Sequence, residues 1–190
     1  MRKLYTALLT LVVLLSTTMS VQAIEYKSLE RHNGESAYAS WYQTEGNATI
    51  YTYLSVTETD DGTDIYVSTS TYGPDFWSDK SGYFFTNDDV FQIDKKLNSA
   101  SLSEVQVDVY DWYTCESETL TVNADWIGKG DISRGSSSYG SKNGDYVWKS
   151  SDSSLCRDAS ATCSINGLDL GVNSYASMSN FKSACMSMEK

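Results

Sequence analysis

The chain is poor in the residues that most catalytic chemistry needs. One histidine, His32, and one proline, Pro74, occur in 190 residues. A single imidazole excludes sites built from several histidines, which covers most catalytic zinc centres and the histidine-rich iron and copper centres. Cations are scarce as well: 14 Lys and Arg stand against 25 Asp and Glu, a formal net charge of −11. A chain of that sign repels phosphate backbones, which argues against nucleic acid as a partner. Long apolar runs are missing beyond the first residues, and cysteine is limited to four.

The one apolar run follows the cationic start Met1-Arg2-Lys3 and extends from Leu4 to Leu15, before a polar stretch that ends Val21-Gln22-Ala23. It falls short of the roughly 20 residues that cross a bilayer. With its small-x-small ending, the pattern predicts a secretory signal peptide over residues 1–23, cleaved before Ile24. No cysteine follows that point to take a lipid, and no membrane span is expected in the remainder. The expected product, residues 24–190, is extracytoplasmic. It loses two cations, so its balance is 12 minus 25, or −13. Its 167 residues (190 minus 23) suit one domain that buries roughly two thirds of its extended-chain surface.

Cys115, Cys156, Cys163 and Cys185 all fall in that product. An even count in an exported chain predicts two disulfides. Spacing favours Cys156 with Cys163 as a local clip and Cys115 with Cys185 as a long tie, with Cys115–Cys156 the competing pairing. No C-x-x-C pair supports a metal site instead.

Period-two alternation dominates, the pattern of strands with one buried face. Ala37, Ala39 and Trp41 alternate with Tyr38, Ser40 and Tyr42. Ile50, Leu54 and Val56 alternate with Tyr51, Tyr53 and Ser55, and after the turn residues Asp60-Asp61-Gly62 a partner strand returns with Ile65 and Val67 inward. Residues 73–90 read as a long connection holding at most one short strand. Val105, Val107 and Val109 lie in the opposite phase from Ala100 and Leu102, which predicts a β-bulge near Ser103 or Glu104. Leu120, Val122, Ala124 and Trp126 line one face of a further strand. Residues 128–145 are rich in Gly and Ser and are expected to form an exposed loop. Asn166-Gly167 marks a hairpin between Ala159–Ile165 and Leu168–Val172, and Tyr175–Met188 is read as a last strand. The fold class expected is all-β, an antiparallel β-sandwich in a single domain.

Candidate sites are few. Asp60, Asp61 and Asp64 share a hairpin tip, and Asp88 and Asp89 a second loop; close carboxylates are the ligands calcium takes, although neither group has the spacing of a calcium loop. Without calcium no cofactor is implied. Tyr51, Tyr53, Tyr66 and Tyr72 fall on the outer face of two paired strands, where they can stack on a glycan or a protein surface, or pair across strands to stabilise the sheet. Asn47-Ala48-Thr49 fits a glycosylation acceptor. Ser-His-Asp catalysis would have to use His32, in a stretch that reads as a loop. Two carboxylates could serve a glycosidase, but no context distinguishes any pair.

The run Leu97-x-x-Ala100-x-Leu102, Val105-x-Val107-x-Val109 and Asp111, then Val122-x-Ala124-x-Trp126-x-Gly128-x-Gly130 resembles exported microbial β-sandwich domains of unknown function. The resemblance spans residues 36–170 and implies the sandwich and the export, with no activity or site residues to carry over. The expectation is a secreted, non-catalytic binding or interaction module. Its alternatives are a structural or adhesive cell-surface subunit and a secreted carbohydrate-active hydrolase using two carboxylates.

Overall fold

The computed structural model describes residues 26–189; the signal peptide expected over residues 1–23 lies outside them. The described chain is all-β, antiparallel and sandwich-like. Its strands are β1 (Tyr26–Glu45), β2 (Ala48–Thr59), β3 (Gly62–Tyr72), β4 (Trp77–Thr86), β5 (Phe91–Ile93), β6 (Ser99–Asp111), β7 (Glu116–Gly128), β8 (Ser133–Asn143), β9 (Tyr146–Ile165), β10 (Leu168–Asp169) and β11 (Tyr175–Glu189).

The pairings return on themselves. β1 pairs β2, β2 pairs β3, β3 pairs β4, β4 pairs β6, β6 pairs β7, β7 pairs β9, β9 pairs β11 and β11 pairs β1. The two facing layers are therefore one closed ring, in which interior side chains fill the space and each strand is paired along both sides for at least part of its length. The narrowest seam is β4 with β6, held by Lys80↔Asp111, Ser81↔Tyr110 and Gly82↔Val109 alone. Glycine is needed there, because any Cβ at Gly82 would collide with the Asp108 carbonyl.

Alternation sorts the core as expected. Trp41, Leu54, Val56, Ile65, Val67, Val107, Val122 and Trp126 are all buried. The Trp126 indole N–H donates across the ring to the Tyr38 carbonyl at 3.1 Å, and its ring meets Phe91 edge to face at 6.3 Å and 87°. The register slips between Leu102 and Val105, and Glu104 takes φ 50°, so the bulge sits where the change of phase requires it. Asn166 and Gly167, at φ 52° and 79°, join Ile165 to Leu168 in the expected two-residue hairpin, although the returning strand is only Leu168–Asp169.

Four expectations are corrected. Residues 73–90 hold a full strand, β4, because Phe84 faces the core while Tyr83 and Phe85 face out. The Gly/Ser-rich segment 128–145 is not a loop: β8 pairs β9 from Ser133↔Cys156 to Asn143↔Tyr146, exposed throughout, so backbone pairing holds it without an apolar face. His32 lies on β1, opposite Ser183 of β11, and not in a loop.

The disulfides are absent: Cys115, Cys156, Cys163 and Cys185 are free thiols. Cys156 and Cys163 occupy the same extended strand, β9, seven positions and therefore about 23 Å apart, and odd spacing sends them to opposite faces. Cys163 is 4% exposed in the core, where burial pushes its thiol up to about 12. Cys115 sits exposed in the β6–β7 turn at φ 61°. On antiparallel register, the position on β7 facing Cys156 would lie about 16 residues past Cys115, which removes that pairing too.

Past Gly34, β1 leaves the ring, and β11 and β9 run on beside it to form, with β8, a four-stranded arm. Phe181 of β11 lies over Gly34, filling the space a side chain would need.

Two outcomes follow. Trp126→Ala empties the ring's centre and lowers unfolding stability by about 3–5 kcal/mol, measured by urea denaturation. Alkylation of the unfolded chain without reductant adds four adducts by mass, and in the folded chain Cys115 reacts first while Cys163 is protected.

Candidate functional site

The outer surface of β11, β1, β2, β3 and β4 carries a stripe of aromatic rings. Odd positions of β2 and even positions of β1 and β3 point outward, opposite the buried set. Successive rings then meet diagonally across strands: Tyr175 and Tyr38 at 5.4 Å, Tyr38 and Tyr53 at 6.4 Å, Tyr53 and Tyr66 at 6.1 Å. Tyr66 lies directly opposite Tyr83 of β4. Serines fill the alternate places, with Ser55 opposite both Tyr38 and Tyr66, and Ser68 opposite Tyr53. The result is a Tyr/Ser checkerboard in which Tyr66, Tyr175 and Tyr83 are 37%, 49% and 63% exposed.

Of the four tyrosines named from sequence, Tyr53 and Tyr66 are in the stripe and touch. Tyr51 and Tyr72 share its face at the edge, Tyr51 opposite Tyr42 and Tyr72 opposite Trp77. Tyr38, Tyr83 and Tyr175 were missed as site residues. Their signal was parity: Tyr38 alternates with buried Ala37 and Ala39, and the two-residue turn between Glu45 and Ala48 fixes its register on β2.

Hydroxyls tie the rings in place. Tyr38 donates to Tyr175 at 3.1 Å, and Tyr83 donates to the Asp64 carboxylate. Donation to Asp64 stabilises the protonated Tyr83 phenol and pushes it above the usual tyrosine range, and the contact with the Tyr38 hydroxyl pushes Tyr175 up as well, so both rings are uncharged at neutral pH. Within the ring, Asp64 and Asp79 are the charged residues among the outward positions of these strands, Asp79 accepting from Ser70 at 2.9 Å, and no cation is among them.

Beside the stripe, the β6–β7 turn adds Trp112 and Tyr113, 65% and 64% exposed, with Trp77 against Tyr113 at 6.2 Å. Buried Asp111 organises that turn. It accepts from Ser78 at 2.7 Å and from the Tyr113 and Thr114 amides, and these bonds hold its carboxyl below the usual range.

The mouth of the ring at this end opens a cavity of about 440 Å³, lined by Thr52, Thr69, Thr71, Ser78, Leu120 and Ile165 among others. Lys80 and Glu118 pair across it at 2.6 Å. Glu45, Glu118 and Asp169 reach its rim, with Glu118 committed to Lys80. His32 faces Ser183, with Asp152 a further strand away, so the serine separates the imidazole from the carboxylate that would have to orient it. Asp60 and Asp61 sit in the β2–β3 turn and Asp64 is held by Tyr83; among the described residues no group of three His, Cys, Asp or Glu is gathered for a metal ion. Asn47 is exposed in the β1–β2 turn. No helix among the described residues is long and apolar enough to cross a membrane.

No family model matches the chain, and the searches of curated proteins and of solved structures found no match.

At the opposite mouth Glu58 lies directly across from Glu35. Burial, then the charges of Glu35 and Asp89, push its carboxyl above the usual range. A raised folded-state pKa means that ionisation opposes folding. Glu58 thus costs stability once pH rises through the ordinary carboxylate range, and costs nothing below it. Glu58→Gln therefore raises the melting temperature at pH 7 by about 1–2 °C, corresponding to about 0.5 kcal/mol for a like-charge cross-strand pair. The gain vanishes below about pH 4, where the carboxyl is protonated in both states. Paired thermal melts at the two pH values check the sign.

Proposed function

We propose that this chain is a non-catalytic contact module that works outside the cytoplasm and engages a partner protein through its Tyr/Ser face. The observation that carries this reading is the continuous run of touching, part-exposed rings from Tyr175 to Tyr66 on one open surface. Tyrosine supplies rigid amphipathic area at low entropic cost and serine supplies adaptable hydrogen bonding, the composition that antibody paratopes use. Adjacent rings are tilted by 38°, 44° and 57°, so the face is corrugated. A sugar chain stacks best on coplanar rings, whereas side chains of a partner fit between tilted ones. Export is supported by the cationic start, apolar run and small-x-small ending of residues 1–23 and by the resemblance to exported β-sandwich domains.

The test is photo-crosslinking in the cells that make the protein. A benzophenone amino acid replaces Ser68, within the checkerboard, or Gln106, exposed on the outer face of β6. Protein adducts form from position 68 and not from 106, and fall at least about ten-fold in a Tyr53→Ala/Tyr66→Ala background, as loss of central anchors requires. Equal adducts from both positions, or none from 68, overturn the reading. Tyrosine-dependent signal on a glycan array without protein adducts reassigns the face to sugars.

A further inference from the structure

We propose that the surface met by the tyrosine face is the arm of a second copy of this chain, so that copies join head to tail; this rests on reading the tyrosine face as a contact surface. In the arm, Tyr26–Asn33 of β1 lies against Lys182–Glu189 of β11, which lies against Tyr146–Ser153 of β9, which lies against β8. Register and alternation put Lys27, Arg31, Lys182, Lys149, Lys142 and Arg134 on one face of that sheet. All six are exposed. Residues 26–189 contain eleven Lys and Arg (14 less Arg2, Lys3 and Lys190), so more than half of them crowd this one face. No carboxylate of the arm shares it: Glu30, Asp152 and Glu189 point the other way, and Asp145 is in the β8–β9 turn. Among the cations sits Leu29, 49% exposed, which with Met186 and Lys149 lines a shallow hollow of about 510 Å³.

The rest of the molecule is its electrostatic complement. Residues 35–131 and 155–180 hold five Lys and Arg against twenty Asp and Glu, or −15 (5 minus 20). The arm, residues 26–34, 132–154 and 181–189, holds six against four, or +2 (6 minus 4). The tyrosine face offers Asp64, Asp79 and a row of ring faces without a cation, and the arm face offers Lys, Arg and Met without an acid. Cations on tyrosine rings, and methionine sulfur against them, are favourable contacts.

The same strands exclude closing this contact within one chain. The cationic face is continuous with the interior side of the ring, since Lys182 and buried Met178 share a phase on β11, whereas the tyrosines occupy the exterior side of β1 and β11. The two faces look in opposite directions, so only another copy can bring them together. Pairing of arms edge to edge is opposed by Lys27 at one free edge and by Arg134 and Lys142 at the other. Face-to-face docking of four strands over eight residues buries about 500 Å² per partner, which suits a weak, reversible contact. Being heterologous, it does not close at two copies.

Sedimentation velocity of the purified protein from about 10 μM to about 1 mM tests this. The expected result is concentration-dependent growth beyond a dimer, with the association constant falling at least about ten-fold between about 0.05 and 0.5 M salt. Lys149→Glu/Lys182→Glu and Tyr53→Ala/Tyr66→Ala are each monomeric alone, and mixed they form a 1:1 dimer that grows no further. Lys27→Glu/Lys142→Glu repeats the arm result at other exposed positions. A monomeric wild type at low salt, or a mixture that stays monomeric, overturns the proposal. If the wild type is monomeric while Ser68 cross-links persist in cells, self-assembly falls and the contact reading stands. If arm variants dissociate the assembly but the tyrosine variant does not, the arm meets another surface and the present pairing is wrong.

Discussion

Closure of the sheet is the constraint on which the rest of the structure depends. A ring of eight strands has one inside, and every strand in it must present its apolar residues at alternate positions in the same phase. That requirement fixes where each outward side chain can be. Trp41, Leu54, Val67, Val107, Val122 and Trp126 occupy the interior, and Tyr38, Tyr53 and Tyr66 are thereby forced outside. The bulge at Ser103–Glu104 belongs to the same constraint. Without that extra residue, either Leu102 or Val105 would face solvent. The three-residue seam between β4 and β6 completes the closure, and it is feasible because Gly82 lets the backbones approach.

The outer aromatic stripe follows from closure plus register, not from composition alone. Each two-residue turn sets which residues stand opposite. Pairing of Glu45 with Ala48 places Tyr38 beside Ser55, and pairing of Thr59 with Gly62 places Ser55 beside Tyr66. Large and small residues then alternate across strands as well as along them, which leaves room for each ring to lean onto its diagonal neighbour. Hydroxyl contacts to Tyr175 and Asp64 hold the ends of the stripe. A surface of this kind is ordered before anything binds, and a pre-ordered side chain loses less entropy on contact than a free one.

Much of this was legible in the chain. The strand phases from Ala37 to Trp126, the Asn166-Gly167 hairpin and the bulge are local signals, written in the spacing of apolar residues and in residues that tolerate positive φ. Tyr53 and Tyr66 were legible as outward for the same reason. Ring closure was not, because β7 with β9 and β11 with β1 join positions far apart in sequence and leave no local mark. The cysteine pairing failed on a similar point. Even count and spacing say nothing about whether Cys156 and Cys163 share one straight strand, which they do. β8 escaped detection because all its side chains are exposed, so its Gly/Ser composition resembles a loop while its backbone is fully paired to β9.

Strands that outrun a closed ring face a difficulty that the arm's composition resolves. Inside the ring, the inward face of β1 and β11 is covered by the opposite wall, and Ala37 and Met178 belong there. Beyond Gly34 the wall ends, and the same face of the same strands meets water. Continued apolar alternation would expose a broad greasy sheet with two open edges, an invitation to uncontrolled stacking. The sequence changes accordingly: Lys27 and Arg31 on β1, Lys182 on β11 and Lys149 on β9 take positions whose counterparts in the ring are apolar. Serine and glycine on β8 add pairing without adding greasy area. Solvation alone would be served as well by glutamate, which a chain of net charge −11 uses freely elsewhere. The choice of cations alone at these positions is what solubility does not explain and a docking surface does.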